Sequence, residues 1–136
     1  MAPFSHAEAE QFFRGVIDDV AAGKRILLVA LDGDRLVGTV QIAHALPPNQ
    51  PHRADVAKLL VRQDVRNQGV GKLLMEALEE HARAAGKTLL VLDTVTGAAG
   101  ERLYARMGWT RVGEIPNYAL FPDGTPTATT IFYKAI

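Results

Sequence analysis

The stretch Leu59-Leu-Val-Arg-Gln-Asp-Val-Arg-Asn-Gln-Gly-Val-Gly-Lys-Leu-Leu74 is the most informative part of this 136-residue chain. Its pattern predicts an apolar strand, a short polar turn and a helix that opens on Gly69-Val70-Gly71. A helix N-terminus presents unpaired N–H groups and the positive end of the helix dipole, so it attracts anions. Glycine lets a phosphate approach the backbone closely, and Arg66 and Lys72 add formal positive charge. The stretch therefore predicts a phosphate-binding turn.

Two well-known phosphate loops do not fit this turn. A Walker P-loop requires glycine at position 66 and Ser or Thr at position 73, where this chain has Arg66 and Leu73. A dinucleotide-binding fingerprint requires a third glycine at position 74, which is Leu74, although Asp93 partly supplies its acidic residue. The pattern that remains is an arginine three residues before Gly69-x-Gly71.

Hydrophobic periodicity and turn residues predict the element order α-β-β-β-α-β-α-β-β. A hairpin and a β-helix-β step indicate a mixed sheet, and hence an α/β chain with one domain over residues 1–136. On the second helix, Glu79 is expected to face solvent and His81 the core. The expected elements are a helix from Ser5 to Gly23, strands at 26–31, 36–43 and 54–61, a helix at 69–85, a strand at 88–93, a helix at 98–107, and strands near 109–115 and 129–134 separated by a proline-rich loop.

Composition excludes several classes of function. Fifteen basic and fifteen acidic residues give a net charge of zero, which argues against a nucleic-acid partner. The chain has no cysteine and Ser5 is its only serine, so a covalent Cys or Ser intermediate is not expected. Its four histidines show no metal-ligand spacing, and its longest apolar run, residues 26–31, is too short for a membrane span. Without a signal peptide, the chain is expected to be cytoplasmic.

The glycine turn resembles the signature of the GCN5-related N-acetyltransferase (GNAT) superfamily, in which an Arg/Gln-x-x-Gly-x-Gly/Ala loop holds the pyrophosphate of acetyl-CoA. A second stretch, Ala99-Gly-Glu-Arg-Leu-Tyr-Ala-Arg-Met-Gly-Trp109, is similar to that family's A-x-x-L-Y-x-x-x-G-F/W motif. The resemblance covers residues 7–136 and looks like a small bacterial-type member. It implies a mostly antiparallel sheet with a central splayed parallel pair and helices on both faces.

The resemblance also implies acetyl-CoA as cosubstrate, with no metal. In this family the pantetheine arm lies between the splayed strands, so Leu60 and Val61 are expected to offer it backbone groups. Arg66 is expected beside the pyrophosphate. The backbone N–H groups expected to bind the pyrophosphate belong to Asn67, Gln68, Gly69, Val70, Gly71 and Lys72.

The expected reaction is direct attack of a small molecule's primary amine on the thioester within a ternary complex. Tyr104 matches the family's general acid, which protonates the departing thiolate; an ordinary phenol titrates near 10 and a thiol near 8.5, so this step is only slightly uphill. Asp93 is the favoured general base because strand-end carboxylates lie where open sheets bind ligands. Asp55 and Glu114 remain as alternatives, and Tyr118 is expected to line the acceptor pocket.

Some features depart from the family pattern. Gly97 and Gly100 stand where Asn and Ala are usual, and Thr94 and Thr96 are the neighbours expected to replace the missing contacts. The sequence also starts without the family's first strand and helix, which implies either a late start or a homodimer that covers the exposed edge. The alternative functions are a non-catalytic acyl-CoA sensor and acetylation of a protein N-terminus or lysine.

Overall fold

The structure, a computed structural model, describes residues 23–44 and 47–136. The helix predicted to open at Ser5 lies outside these residues. The described elements are β1 (Arg25–Asp32), β2 (Arg35–Ala43), β3 (Arg53–Val61), a 3-10 turn (Gln63–Val65), α1 (Val70–Ala84), β4 (Leu89–Val95), α2 (Ala99–Arg106), β5 (Thr110–Leu120) and β6 (Pro126–Ala135).

The described strands form one sheet in the order β1-β2-β3-β4-β6-β5. All neighbours are antiparallel except β3 and β4, which run parallel. These two strands pair over only three positions, from Arg53 opposite Leu89 to Asp55 opposite Val91. Beyond them β3 pairs with β2 as far as Val61, while β4 pairs with β6 as far as Val95, so a gap opens between β3 and β4. The predicted mixed sheet with a splayed parallel pair is confirmed.

Both described helices cover the same face of the sheet. Glu79 of α1 forms an ion pair with Lys134 of β6 at 2.6 Å, and Tyr104 of α2 packs on Phe132 of β6. Residues 132 and 134 share a face because strand side chains alternate. This face, called the helix face below, holds most of the apolar core, including Val40, Ile42, Val56, Leu90, Leu92 and Phe132.

The prediction for the buried side of α1 was partly wrong. Glu79 is 6% exposed rather than solvent-facing, while His81 is exposed and bonds to the Ala77 carbonyl through Nδ1. The apolar pattern of Leu74 and Leu78 fits a helix facing the sheet. It could not reveal that Lys134 lies opposite Glu79 and neutralises it.

The last two strands are longer than predicted. β5 continues to Leu120 and β6 begins at Pro126, so the connection is only residues 121–125 rather than a long loop. Pro116 was expected in the proline-rich loop, but it lies within β5. β5 is an edge strand, and its pairing is irregular between Ile115 and Ala119, where Asn117 has φ 53°. A proline is tolerated at such an edge bulge because no ladder hydrogen bond is lost.

The contact between α1 and β2 requires glycine at position 38. A Cβ on Gly38 would lie 2.9 Å from Leu74 Cδ1, 3.1 Å from Val70 Cγ1 and 3.2 Å from the Leu60 carbonyl oxygen. We expect Gly38→Ala to lower the free energy of unfolding by about 1–3 kcal/mol, the usual cost of overpacking. Urea unfolding measures this, with Gly113→Ala as control because a Cβ there meets nothing within 4 Å. Equal free energies of unfolding for the two variants would show that α1 does not pack tightly against β2 at Gly38.

Candidate active site

The polar turn after β3 exposes backbone donors at the start of α1. Asn67 and Gly69 both adopt left-handed backbone conformations, with φ 65° and 83°. Gly69 is the N-cap of α1, and its carbonyl accepts the first bond inside the helix, from Leu73 N–H at 3.0 Å. The N–H groups of the intervening residues, 70 to 72, therefore have no partner within the helix. The helix start and its glycine cap lie where the sequence predicted.

Four basic side chains lie near this turn, and they differ in how strongly carboxylates hold them. The Arg35 and Arg62 side chains both bind the Asp64 carboxylate. The Arg35 hydrogen bond is the main cause that lowers the pKa of Asp64. Arg66 is exposed, with no side-chain bond to another described residue, and Lys72 makes only a 3.8 Å contact with Glu76. Positive charge is thus available beside the helix start at both residues that the sequence singled out.

A bulge in β3 decides which backbone groups face the gap. Between the pairs Thr39–Leu60 and Gln41–Ala57, β3 has one more residue than β2, and Lys58 there has φ 57°. Arg62 N–H donates to a β2 carbonyl at 2.8 Å. In an antiparallel ladder alternate residues point the same way, so Leu60 also turns its backbone groups towards β2.

By the same alternation the backbone groups of Val61 face away from β2, towards the gap. Val61 and Leu60 were both expected to offer backbone groups to a ligand there; Leu59 and Leu60 line the space between the strands, and Val61 does not. The sequence of this strand carries no signal for the bulge, because Lys58 is not a residue type that favours a positive φ. Only the pairing with β2 distinguishes the three positions.

The gap between β3 and β4 opens into a cleft of about 360 Å³. The two diverging strands form its sides, Tyr104 of α2 contributes from the helix face, and Ala119 to Pro122 contribute from the end of the β5–β6 hairpin. A cleft of this size is within the range of small-ligand sites. Asp93 and Tyr104, predicted separately from sequence, both line it. Tyr118, which was expected in the pocket, does not.

Tyr104 is held in an apolar setting. Its ring lies 5.9 Å from that of Trp109 and 5.7 Å from that of Phe132. Burial raises the pKa of Tyr104 to about 12, so the phenol keeps its proton at neutral pH. A Cβ on Gly100 would lie 3.2 Å from Tyr104 Cε2 and 3.3 Å from Thr94 Oγ1. The glycine that replaces the family's alanine therefore leaves space beside the ring.

Asp93 lies on the opposite face of the sheet from Tyr104. The register pairs Leu92 with Phe132 and Asp93 with Ile131. Phe132 packs under Tyr104, so the alternation of side chains directs Asp93 away from the helix face. Its Oδ2 accepts a 2.7 Å hydrogen bond from the Thr129 hydroxyl. The cleft thus has a proton donor on one side of the sheet and a carboxylate on the other.

The two alternative carboxylates lie elsewhere. Asp55 is in the short segment where β3 and β4 still pair, and it forms an ion pair with Arg53. Glu114 is exposed on β5 and pairs with Arg111 at 2.6 Å. Neither lines the cleft. Of the three candidate carboxylates, Asp93 is the one that the fold brings into the cleft.

The positions that depart from the family pattern have partners of their own. Gly97 N–H donates to Glu101 Oε2 at 2.6 Å, and the Thr96 hydroxyl bonds to that of Thr130 at 2.9 Å. Thr94 lines the cleft and Thr96 does not. Of the two threonines expected to replace the missing contacts, only Thr94 is in place to touch a ligand.

Residues 23–44 and 47–136 contain no cluster of three or more His, Asp or Glu side chains that could hold a metal ion. No helix in these ranges is long and apolar enough to cross a membrane.

Comparison with known proteins places this geometry in a family. The model of the acetyltransferase (GNAT) family matches residues 2–109. The chain is 30% identical over 111 residues to N-acetyltransferase 8B of Rattus norvegicus, covering 80% of this chain and 49% of that protein. It is 30% identical over 106 residues to N-alpha-acetyltransferase 30 of Schizosaccharomyces pombe, covering 77% of this chain and 69% of that one.

Among solved structures, yncA from Salmonella typhimurium, determined with its cofactor acetyl-CoA, superposes with a TM-score of 0.79. It shares 18% identity, and the match covers 93% of this chain and 72% of that one. The chain spans about half the length of the rat relative. The family match, the two relatives and the splayed sheet agree, and the chain belongs to the GNAT acetyltransferase family.

Proposed function

We propose that this protein transfers an acetyl group from acetyl-CoA to the primary amine of a small molecule. The observation that carries the proposal is the split between β3 and β4, which has the anion-binding turn at the end of β3 and both Tyr104 and Asp93 along its cleft. The yncA structure, with the same fold, holds acetyl-CoA. The amine attacks the thioester directly within a ternary complex.

The backbone of the described residues fits this cosubstrate. The pantetheine arm carries two amide groups, which can pair with strand backbone groups that face the gap, such as those of Val61. The pyrophosphate suits the unpaired N–H groups of residues 70 to 72 at the start of α1, and Arg66 and Lys72 add positive charge. A backbone N–H aimed at the thioester oxygen would also stabilise the negative charge that develops there.

Tyr104 is proposed to protonate the departing thiolate. With its pKa near 12, the phenol is a weaker acid than the unperturbed side chain considered in the sequence analysis. The same apolar surroundings also disfavour a free thiolate and raise its affinity for a proton. The transfer therefore stays feasible between two groups that are poorly solvated together.

Asp93 is proposed to remove the proton from the attacking amine. An aliphatic ammonium resembles that of lysine, with a pKa near 10.4, so it must lose a proton before it can attack. Asp93 lines the cleft, and Thr129 holds only its Oδ2. Its other oxygen remains to accept the proton, directly or through a water molecule.

A second candidate function is acetylation of a protein N-terminus. The relative from Schizosaccharomyces pombe is named N-alpha-acetyltransferase 30, and an N-terminal amine would use the same chemistry. Thiol release with an alanine-initiated peptide, compared with small amines under the same conditions, separates the two. A non-catalytic acyl-CoA sensor would be stabilised by acetyl-CoA and release no thiol with any acceptor.

Replacing Arg66 tests the phosphate turn. We expect Arg66→Gln to weaken acetyl-CoA binding by about threefold to tenfold, since an exposed charge-assisted contact contributes about 1 kcal/mol. Arg83→Gln, at the far end of the same helix, should leave the affinity unchanged. Calorimetric titration measures both. Equal affinities for the two variants would separate Arg66 from the cosubstrate.

Replacing Tyr104 tests the general acid. We expect Tyr104→Phe to lower kcat about 100-fold with little change in acetyl-CoA affinity, because only the proton donor is removed. Tyr133→Phe, at a half-exposed position outside the cleft, is the control.

The pKa near 12 also makes a prediction about pH. Tyr104 stays protonated as pH rises to about 10, so its ionisation should cause no loss of rate over that range. Steady-state assays across pH measure this, and wild-type turnover in Tyr104→Phe contradicts the assignment.

Replacing Asp93 tests the general base. We expect Asp93→Asn to lower kcat/KM about 100-fold at neutral pH, since an amide cannot accept the amine's proton, and to make the rate rise with pH towards the pKa of the free amine. Glu114→Gln, which alters an exposed carboxylate outside the cleft, should keep the wild-type rate and pH profile. A wild-type pH–rate profile in Asp93→Asn would clear that residue of the role.

A further inference from the structure

We infer that the acceptor is a monoamine whose single ammonium is attached to a compact apolar body. The inference rests on the proposed acetyl transfer and names the substrate class of that same cleft. Three properties of the cleft support it: the charges that line it, the side chains at its mouth, and its volume.

The charges favour a single ammonium. Two charged residues line the cleft within the described part of the chain, the anionic Asp93 and the cationic Lys58. One carboxylate suits one ammonium. A second ammonium on the acceptor would lose its water in the cleft without gaining another carboxylate from residues 23–44 or 47–136, and such desolvation is costly. A polycationic acceptor is therefore disfavoured.

The mouth of the cleft favours an apolar body. The end of the β5–β6 hairpin contributes Leu120 and Phe121, which are 66% and 40% exposed, together with Ala119 and Pro122. An alkyl or aryl group that covers these side chains would remove apolar surface from water. In a hydrophobic pocket one methylene group changes kcat/KM by about tenfold or more.

The volume favours a compact body. The thioester end of acetyl-CoA and the acceptor must share about 360 Å³, near the lower end of small-ligand sites. A site of this size suits a compact amine of five or six carbons better than an oligosaccharide. A comparison of pentylamine with 1,5-diaminopentane tests the effect of a second charge, because the two amines differ only in a terminal ammonium.

The test measures kcat/KM for both amines, and for an alanine-initiated peptide, at saturating acetyl-CoA by free-thiol release. We expect pentylamine to be preferred over 1,5-diaminopentane by at least tenfold, and over the peptide. Equal or reversed preference overturns the inference while the observed acetylation upholds the proposed function. Thiol release with none of these acceptors, despite acetyl-CoA binding, removes both.

A variant pair locates the preference in the hairpin. We expect Phe121→Asp to lower kcat/KM for pentylamine at least tenfold and to bring 1,5-diaminopentane within about threefold of it, because the new carboxylate can pair with the second ammonium. Val112→Asp places the same charge on an exposed β5 position outside the cleft and should leave the preference unchanged. Circular dichroism verifies that both variants fold. The same preference in Phe121→Asp as in wild type overturns the assignment to the hairpin.

Discussion

The fold depends on one constraint: two central strands that pair over three residues must then leave their facing backbone groups without a strand partner. Backbone N–H and C=O groups need hydrogen-bond partners, and the sheet leaves these without a strand partner because its other pairings hold β3 and β4 apart. The bulge at Lys58 keeps β3 on β2, and the register from Leu89 to Val95 keeps β4 on β6. The gap is therefore a built feature, and an extended amide ligand is its natural complement.

Strand β6 supports both chemical groups of the cleft at once. From the helix face, its Phe132 packs against Tyr104 and helps to exclude the water that would ease ionisation of the phenol. From the other face, its Thr129 holds one oxygen of Asp93. The sheet itself separates the phenol from the carboxylate, so the two do not hydrogen-bond to each other. Strand β6 thus helps to keep the Tyr104 phenol protonated and fixes the orientation of the Asp93 carboxylate.

Local patterns predicted most of the fold and part of the site. The glycine turn, the helix that follows it and the positions of Asp93 and Tyr104 depend on motifs of a few residues, and these were predicted. The bulge at Lys58, which sets the direction of the backbone groups around it, depends on pairing with β2. The extension of β5 past Pro116 depends on that strand lying at the edge. Such properties arise only when distant segments meet.

The ion pair between Glu79 and Lys134 joins α1, which begins at the glycine turn, to the strand that supports Tyr104 and Asp93. The carboxylate side chain is 8% exposed and the ammonium 22%, and Lys134 Nζ also donates to the Met107 carbonyl at 2.7 Å. Loss of one partner leaves a largely desolvated charge unpaired, which lowers the free energy of unfolding by about 3–5 kcal/mol. Replacing both residues by apolar ones can leave the stability nearly unchanged. The residues at positions 79 and 134 should therefore change together during evolution, although they lie 55 positions apart in the sequence.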